Sequence, residues 1–208
     1  SYDDAQNQKY FEHNYLGTDS IDKTKRTSIK NTIGIALQEG FNKWAKAGLT
    51  AFLSYEYRNF ALTDTTNIPG QRIINNYKES SLSIGGELSK KQGKLLHYNI
   101  LGELAIAGED AGQFSVEGRG DLNLRLFGDT VRLDVNAFIK NQNPVFYFRH
   151  FQSKHYWWDN NDLSKIMRTR LEGKLSLNRW GTQLRAGVEN IKNYTYLANA
   201  SIPVKDSE

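Results

Sequence analysis

One stretch of this chain, 114–140, restricts its possible folds more than any other. In FSVEGRGDLNLRL, Phe114, Val116, Gly118, Gly120, Leu122, Leu124 and Leu126 occupy every second position. Ser115, Glu117, Arg119, Asp121, Asn123 and Arg125 fill the places between them. VRLDVNAFIK continues the pattern, with Val131, Leu133, Val135, Ala137 and Ile139 against Arg132, Asp134, Asn136, Phe138 and Lys140. A period of two over this length predicts strands, because successive side chains leave a pleated backbone on opposite sides. Between the arms, Gly128-Asp129 suits a two-residue hairpin loop with glycine first. That loop sets Leu124 opposite Leu133, Leu122 opposite Val135 and Glu117 opposite Lys140. It also places Arg125 opposite Arg132, a like-charge pair that costs energy.

Each arm is long enough to cross a bilayer as a tilted strand, which takes about 9–11 residues. A soluble half-buried sheet would turn the apolar positions to a core and the charges to open water. A barrel wall would turn the apolar positions to lipid and the mixed charges to a wet lumen. The hairpin alone fits both.

The remaining strands decide between them. Alternation recurs at 27–38 (Ile29, Ile33, Ile35, Leu37) and at 46–58 (Ala47, Leu49, Ala51, Leu53, Tyr55, Tyr57). It returns at 80–89 (Leu82, Ile84, Gly86, Leu88) and at 95–106 (Leu96, Tyr98, Ile100, Leu104, Ile106). A three-residue loop, Lys91-Gln92-Gly93, joins the last two and brings Tyr98 opposite Gly86, where the ring covers bare backbone. The final hairpin pairs 167–178 with 182–194 through Trp180-Gly181, matching Leu171, Leu175 and Leu177 with Leu184, Ala186 and Val188. Eight strands result. Their connections are tight after the first, third, fifth and seventh. They are long after the second (59–78) and sixth (141–165), and of middle length after the fourth.

Outer-membrane barrels show this asymmetry, with short periplasmic turns and longer external loops. Trp44, Phe127 and Trp180 flank the tight turns, while Tyr55, Tyr57, Phe114 and Tyr194 lie near the other ends, as two aromatic girdles would. The outward positions of all eight strands carry no Lys, Arg, Asp or Glu, a restriction that a soluble sheet has no reason to impose. The expected fold is therefore all-β, an antiparallel up-and-down transmembrane β-barrel. With tight turns periplasmic, both ends of this stretch fall outside the cell, so the eight strands are expected to be a segment of a larger barrel. Residues 1–26 are expected to be an external loop, 27–194 the barrel segment, and 195–208 a loop or truncated end. Two long edges make an open sheet the expected form of the segment by itself.

Composition excludes several classes. No apolar run reaches the length of a transmembrane helix. The chain has no cysteine, which removes disulfides and thiolate metal sites, and its net charge of +4 is spread among interleaved acids and bases. A nucleic-acid partner is not expected from so mild a balance.

Five stretches resemble the "putative porin" family of Bacteroidetes outer membranes. They are EGFNKWAKAGLTAFLSYEYR (39–58), GGELSKKQGKLLHYN (85–99), RLFGDTVRLDVNAFIKN (125–141), FRHFQSKHYWWDN (148–160) and GVENIKNYTY (187–196). The similarity includes turn and loop residues and covers most of the chain beyond residue 26. It implies an outer-membrane barrel of a Gram-negative bacterium, larger than this segment, that passes small hydrophilic solutes. It implies no catalytic residue and no cofactor.

The candidate pore-lining residues are Glu117, Arg119, Asp121, Arg125, Arg132, Asp134, Arg168, Arg170, Glu172, Lys174, Arg185 and Glu189. Charged rings of this kind set selectivity in pores, although any barrel interior is polar. The loop candidates are Phe146, Tyr147, Phe148 and Arg149 with His155, Tyr156, Trp157 and Trp158. These rings suit sugar binding, a constriction inside the lumen, or packing at the membrane interface. His150 and His155 lack a third metal ligand at sensible spacing, so no metal is expected. No Ser/His/acid arrangement matches a hydrolase motif, so the chain is read as no enzyme. The expected function is passive diffusion of small hydrophilic solutes, with outer-membrane lipid as the surroundings. The alternatives are a barrel whose surface loops bind glycans or host ligands, and a soluble β-barrel binder.

Overall fold

The computed structural model describes residues 15, 23–41, 46–65, 72–126, 128–197 and 203–205. Strands β1 (Lys25–Leu37), β2 (Gly48–Thr65), β3 (Arg72–Lys90), β4 (Leu96–Gly108), β5 (Phe114–Leu126) and β6 (Asp129–Gln142) follow one another in an antiparallel meander. A short helical turn α1 (Phe146–Arg149) and the two-strand ladder of β7 (His150–Gln152) and β8 (Trp157–Asp159) interrupt it. The meander resumes with β9 (Ile166–Leu177) and β10 (Thr182–Lys192). The order β1-β2-β3-β4-β5-β6-β9-β10 makes one eight-stranded sheet, and among the described residues β1 and β10 do not pair. The sheet is therefore open, as expected. In the stretch 195–208, β11 (Thr195–Leu197) pairs with β12 (Pro203–Lys205).

Register joins the apolar positions into continuous rows. Leu37, Leu49, Leu88, Ile100, Gly118, Ala137, Leu171 and Val188 stand side by side across all eight strands. Most of the face they form is uncovered among the described residues: Ile33 is 78% exposed, Ile35 75% and Val188 65%. Patches on soluble monomers are far smaller than a whole sheet face.

The opposite face is concave. Lys30 on β1 reaches Glu103 on β4, Nζ to Oε1 3.3 Å. Three strand spacings of about 4.8 Å separate their backbones in a flat sheet. The two side chains meet only because the face they share bends toward itself. Charges thus lie inside the curve and aliphatics outside it.

Several expectations need correction. The hairpin of β5 and β6 closes at Leu126–Asp129, so positions 127 and 128 lie between the strands, not 128 and 129. Leu124 faces Val131, Leu122 faces Leu133 and Glu117 faces Phe138. A shift of two residues keeps every side chain on its own face, so alternation cannot detect it. Arg125 then faces Thr130 and Arg132 faces Asn123, and the expected Arg125–Arg132 pair does not form. Between β3 and β4 lie five residues, 91–95, and Gly86 faces Gly102. Tyr98 instead stands beside Gly120 of β5.

The long loop expected at 59–78 is largely strand. β2 and β3 run in register from Gly48–Ser89 out to Thr65–Arg72, leaving only 66–71 between them. The pair extends several residues past the length a bilayer needs. Its polar composition hid the alternation, because Phe60 and Leu62 sit on the charged face here and find an internal partner. The rule against outward charge also fails at the ends, where Lys78 pairs with Asn59 and Lys192 with Met167. Lysines at such ends extend toward the polar interface. Trp44 and Phe127 lie outside the described residues, and Trp180 is 73% exposed.

The glycine that an aromatic ring covers is on the inner face. A Cβ on Gly85 would stand 2.2 Å from the Phe52 ring and 2.6 Å from the Gly102 carbonyl oxygen. Gly85→Ala is expected to destabilise the folded sheet by about 1–3 kcal/mol, the usual range for overpacking. Phe52→Leu should restore only part of that, since the carbonyl clash stays. Urea unfolding of the four members of this double-mutant cycle measures it; simple additivity would show that the ring does not sit over Gly85.

Candidate functional site

All twelve charged residues expected to line a pore share the concave face of β5, β6, β9 and β10. Their register creates like-charge neighbours, which would cost energy if left alone. Asp121 faces Asp134, Lys140 faces Arg168, and Lys174 faces Arg185.

Partners two positions along the same strand, and diagonal partners on the next, compensate most of this. Arg132 Nε lies 2.8 Å from Asp134 and its Nη2 3.8 Å from Asp121, which also meets His97 Nδ1 at 2.9 Å. Lys140 Nζ is 2.5 Å from Glu117, and Arg168 Nε pairs with Glu189. Glu172 takes both Arg170 at 2.6 Å and Arg185 at 3.6 Å. These pairs are half exposed, so each contributes little to stability. What they do is fix where charge remains.

A second constellation was not foreseen in the sequence. Arg58 of β2, Glu79 of β3, Asp110 of the β4–β5 turn and Arg149 of α1 meet on the concave face. Arg58 Nη2 lies 2.6 Å from Asp110 and 3.1 Å from Glu79. Arg149 Nη2 donates to Glu79 Oε1 at 2.7 Å, and its Nη1 to Glu109 at 3.1 Å. Ser81 and Gln113 each donate to Asp110 at 2.6 Å. The four side chains are only 7–15% exposed. Their burial makes this clamp costly to break, since removing one partner strands a charge.

The clamp ties an inward fold of the 143–165 connection to the wall. Phe146 stacks on Phe60 with ring centroids 3.8 Å apart, and Tyr147 meets Phe60 edge-on. Leu62 and Tyr77 complete the cluster. Gln152 donates to the Tyr77 hydroxyl at 2.8 Å. Trp158 stacks on Phe151 at 4.9 Å and donates from Nε1 to the Tyr147 carbonyl. Trp157 approaches Tyr15 at 5.9 Å, and Tyr156 approaches Trp158 at 6.3 Å. Phe148 donates its backbone N–H to Val145. His155 is half-buried. His150 Nδ1 pairs with Asp159 at 2.7 Å. Among the described residues no three His, Asp or Glu side chains form a metal-holding group.

Of the loop candidates, then, Phe146 and Arg149 are buried and are committed to internal contacts. The signal missed was Glu79, which falls between the expected loop and the expected strand, and Asp110, which looks like an ordinary turn residue. Neither gains meaning until the fold brings Arg58 and Arg149 to it.

Burial raises the cost of an ionised Asp110. Hydrogen bonds from Arg58 and Ser81 and the charges of Arg58 and Arg149 outweigh that cost and hold its carboxyl below the usual range. A lowered folded value gives stability that is present at neutral pH. That stability is lost as pH falls below the ordinary carboxylate value of about 3.9 and through the folded one. Limited proteolysis of the folded protein should therefore leave the 143–165 connection intact at neutral and mildly acidic pH and cleave it only in stronger acid. Arg149→Met should expose it already at neutral pH, weakening the docking by about 1–3 kcal/mol. Equal protection of both proteins would contradict the clamp.

No curated protein matches the chain. A family model described as "Putative porin" matches residues 1–208. An antiparallel meander with one uncovered apolar face and one concave charged face is the wall such a barrel requires, and the chain belongs to that family.

Proposed function

We propose that the chain forms part of a passive channel for small hydrophilic solutes in the outer membrane of a Gram-negative bacterium. The observation that carries this reading is the division of the sheet. Rows of uncovered aliphatics run across all eight strands on the convex side, and twelve charged side chains line the concave side. In hydrocarbon the first face is at home, and the second needs water. Nothing in the paired charges resembles a nucleophile with its base, which supports a conduit over an enzyme.

The wall in this reading is 27–194, with 1–26 and 195–208 outside it. Open edges at β1 and β10 support completion of the barrel by further strands, because unpaired backbone groups are not tolerated in lipid. The inward fold of 143–165 narrows the lumen near its external mouth. It weighs against the alternative of a ligand-capturing surface loop, since two of the loop candidates, Phe146 and Arg149, are buried in their contacts with the wall. The exposed aliphatic rows weigh against a soluble binder.

Purified intact protein in planar bilayers should produce stepwise conductance. Arg149→Met should enlarge the steps by releasing the connection from the wall. Bilayers that stay silent over repeated insertions of correctly assembled protein would reject the channel.

A further inference from the structure

Ion pairing on the concave face is lopsided. Toward the short-turn end, a groove lies between the β3–β4 turn and strands β5, β6, β9 and β10. Each of its carboxylates is engaged: Asp121 by His97 and Arg132, Asp134 by Arg132, and Glu172 by Arg170 and Arg185. Its cations are not matched in return. Arg119 and Lys174 line the same groove, with Lys91 of the β3–β4 turn beside them, and among the described residues the side chains of these three have no ion-pair or side-chain hydrogen-bond partner.

Register explains the surplus. Arg119 stands between Asn99 and Asn136, neutral amides on both sides. Lys174 stands between Asp134, which Arg132 has already engaged, and Arg185. The acids that would neutralise these cations are taken by cations one row away. What faces the groove is net positive, with amide donors beside it.

We propose that this groove is a subsite for small anions, carboxylate- or phosphate-bearing solutes among them, and that it makes the channel anion-selective. The inference rests on the channel reading above and adds the substrate class. Arginine offers a planar fork to such oxyanions and lysine a mobile point charge. Water in the groove keeps each interaction weak, which a conduit needs, since a solute must leave as readily as it enters.

Reversal potentials of the intact protein in planar bilayers under a potassium chloride gradient test this, with inorganic phosphate added as the probe. The unaltered channel should favour chloride over potassium, and phosphate should reduce the chloride current in a saturable way. In water, a unit charge about 7 Å from a passing ion changes its occupancy roughly threefold. Arg119→Gln with Lys174→Gln should therefore lower the chloride preference by about that factor per charge, and phosphate block should be lost. Lys78→Gln, on the other face of β3, should change neither. Preference for potassium in the unaltered channel, or a preference untouched by the double substitution, would overturn the anion subsite and leave the channel standing. Silence of every variant, the unaltered protein included, would overturn the channel and the subsite together.

Discussion

A backbone N–H or C=O left without a partner in hydrocarbon costs several kcal/mol, and that constraint governs this structure. Eight strands satisfy it between themselves by pairing in chain order, with only the small β7–β8 ladder set aside between β6 and β9. Once the backbone is committed to ladders, every side chain must go to one face or the other. The lipid side tolerates only the aliphatics and small residues that fill the rows through Leu37 and Val188. Away from the strand ends the charge is driven to the opposite side, and the face that receives it bends inward, as the contact of Lys30 with Glu103 records.

Crowding charge onto one concave face creates a second problem, which the chain solves in two ways. Where water has access, like charges that register places side by side are relieved by half-exposed pairs, along one strand as in Arg132 with Asp134 or diagonally between strands as in Lys140 with Glu117. Where the 143–165 connection excludes water, Arg58, Glu79, Asp110 and Arg149 form a denser network in which acids and bases alternate. The first solution leaves cations over in one groove, and the second holds a connection inside the curve. Both are consequences of the same segregation.

Much of the fold was legible in the sequence, because period-two alternation carries both strand identity and facing. The eight strands, their order and the open edges follow from it. Register was not legible to the same degree. In β5 and β6 a two-residue slip leaves each face unchanged, so only the geometry of the turn at 127–128 separates the two pairings. The outer halves of β2 and β3 escaped notice because Phe60, Leu62 and Tyr77 face inward, against Phe146 far along the chain, and so break the expected pattern. The facing of the twelve charged residues was readable one by one, since each is fixed by parity. Which of them end up paired was not, because pairs form both two positions along one strand and diagonally between strands. The Arg58–Glu79–Asp110–Arg149 clamp draws on four separate elements, and no local spacing announces it.

The wall, the lumen and the groove all depend on alternate residues of these strands facing lipid and water. The chain contains no cysteine, so single cysteines placed one at a time from Thr169 through Leu175 on β9 report on their own surroundings. With the protein assembled in lipid vesicles, a charged, membrane-impermeant maleimide should label Arg170→Cys, Glu172→Cys and Lys174→Cys. It should spare Thr169→Cys, Leu171→Cys, Gly173→Cys and Leu175→Cys. Labelling that rises smoothly from one end of the strand to the other, or that favours the second set, would contradict the two-faced wall.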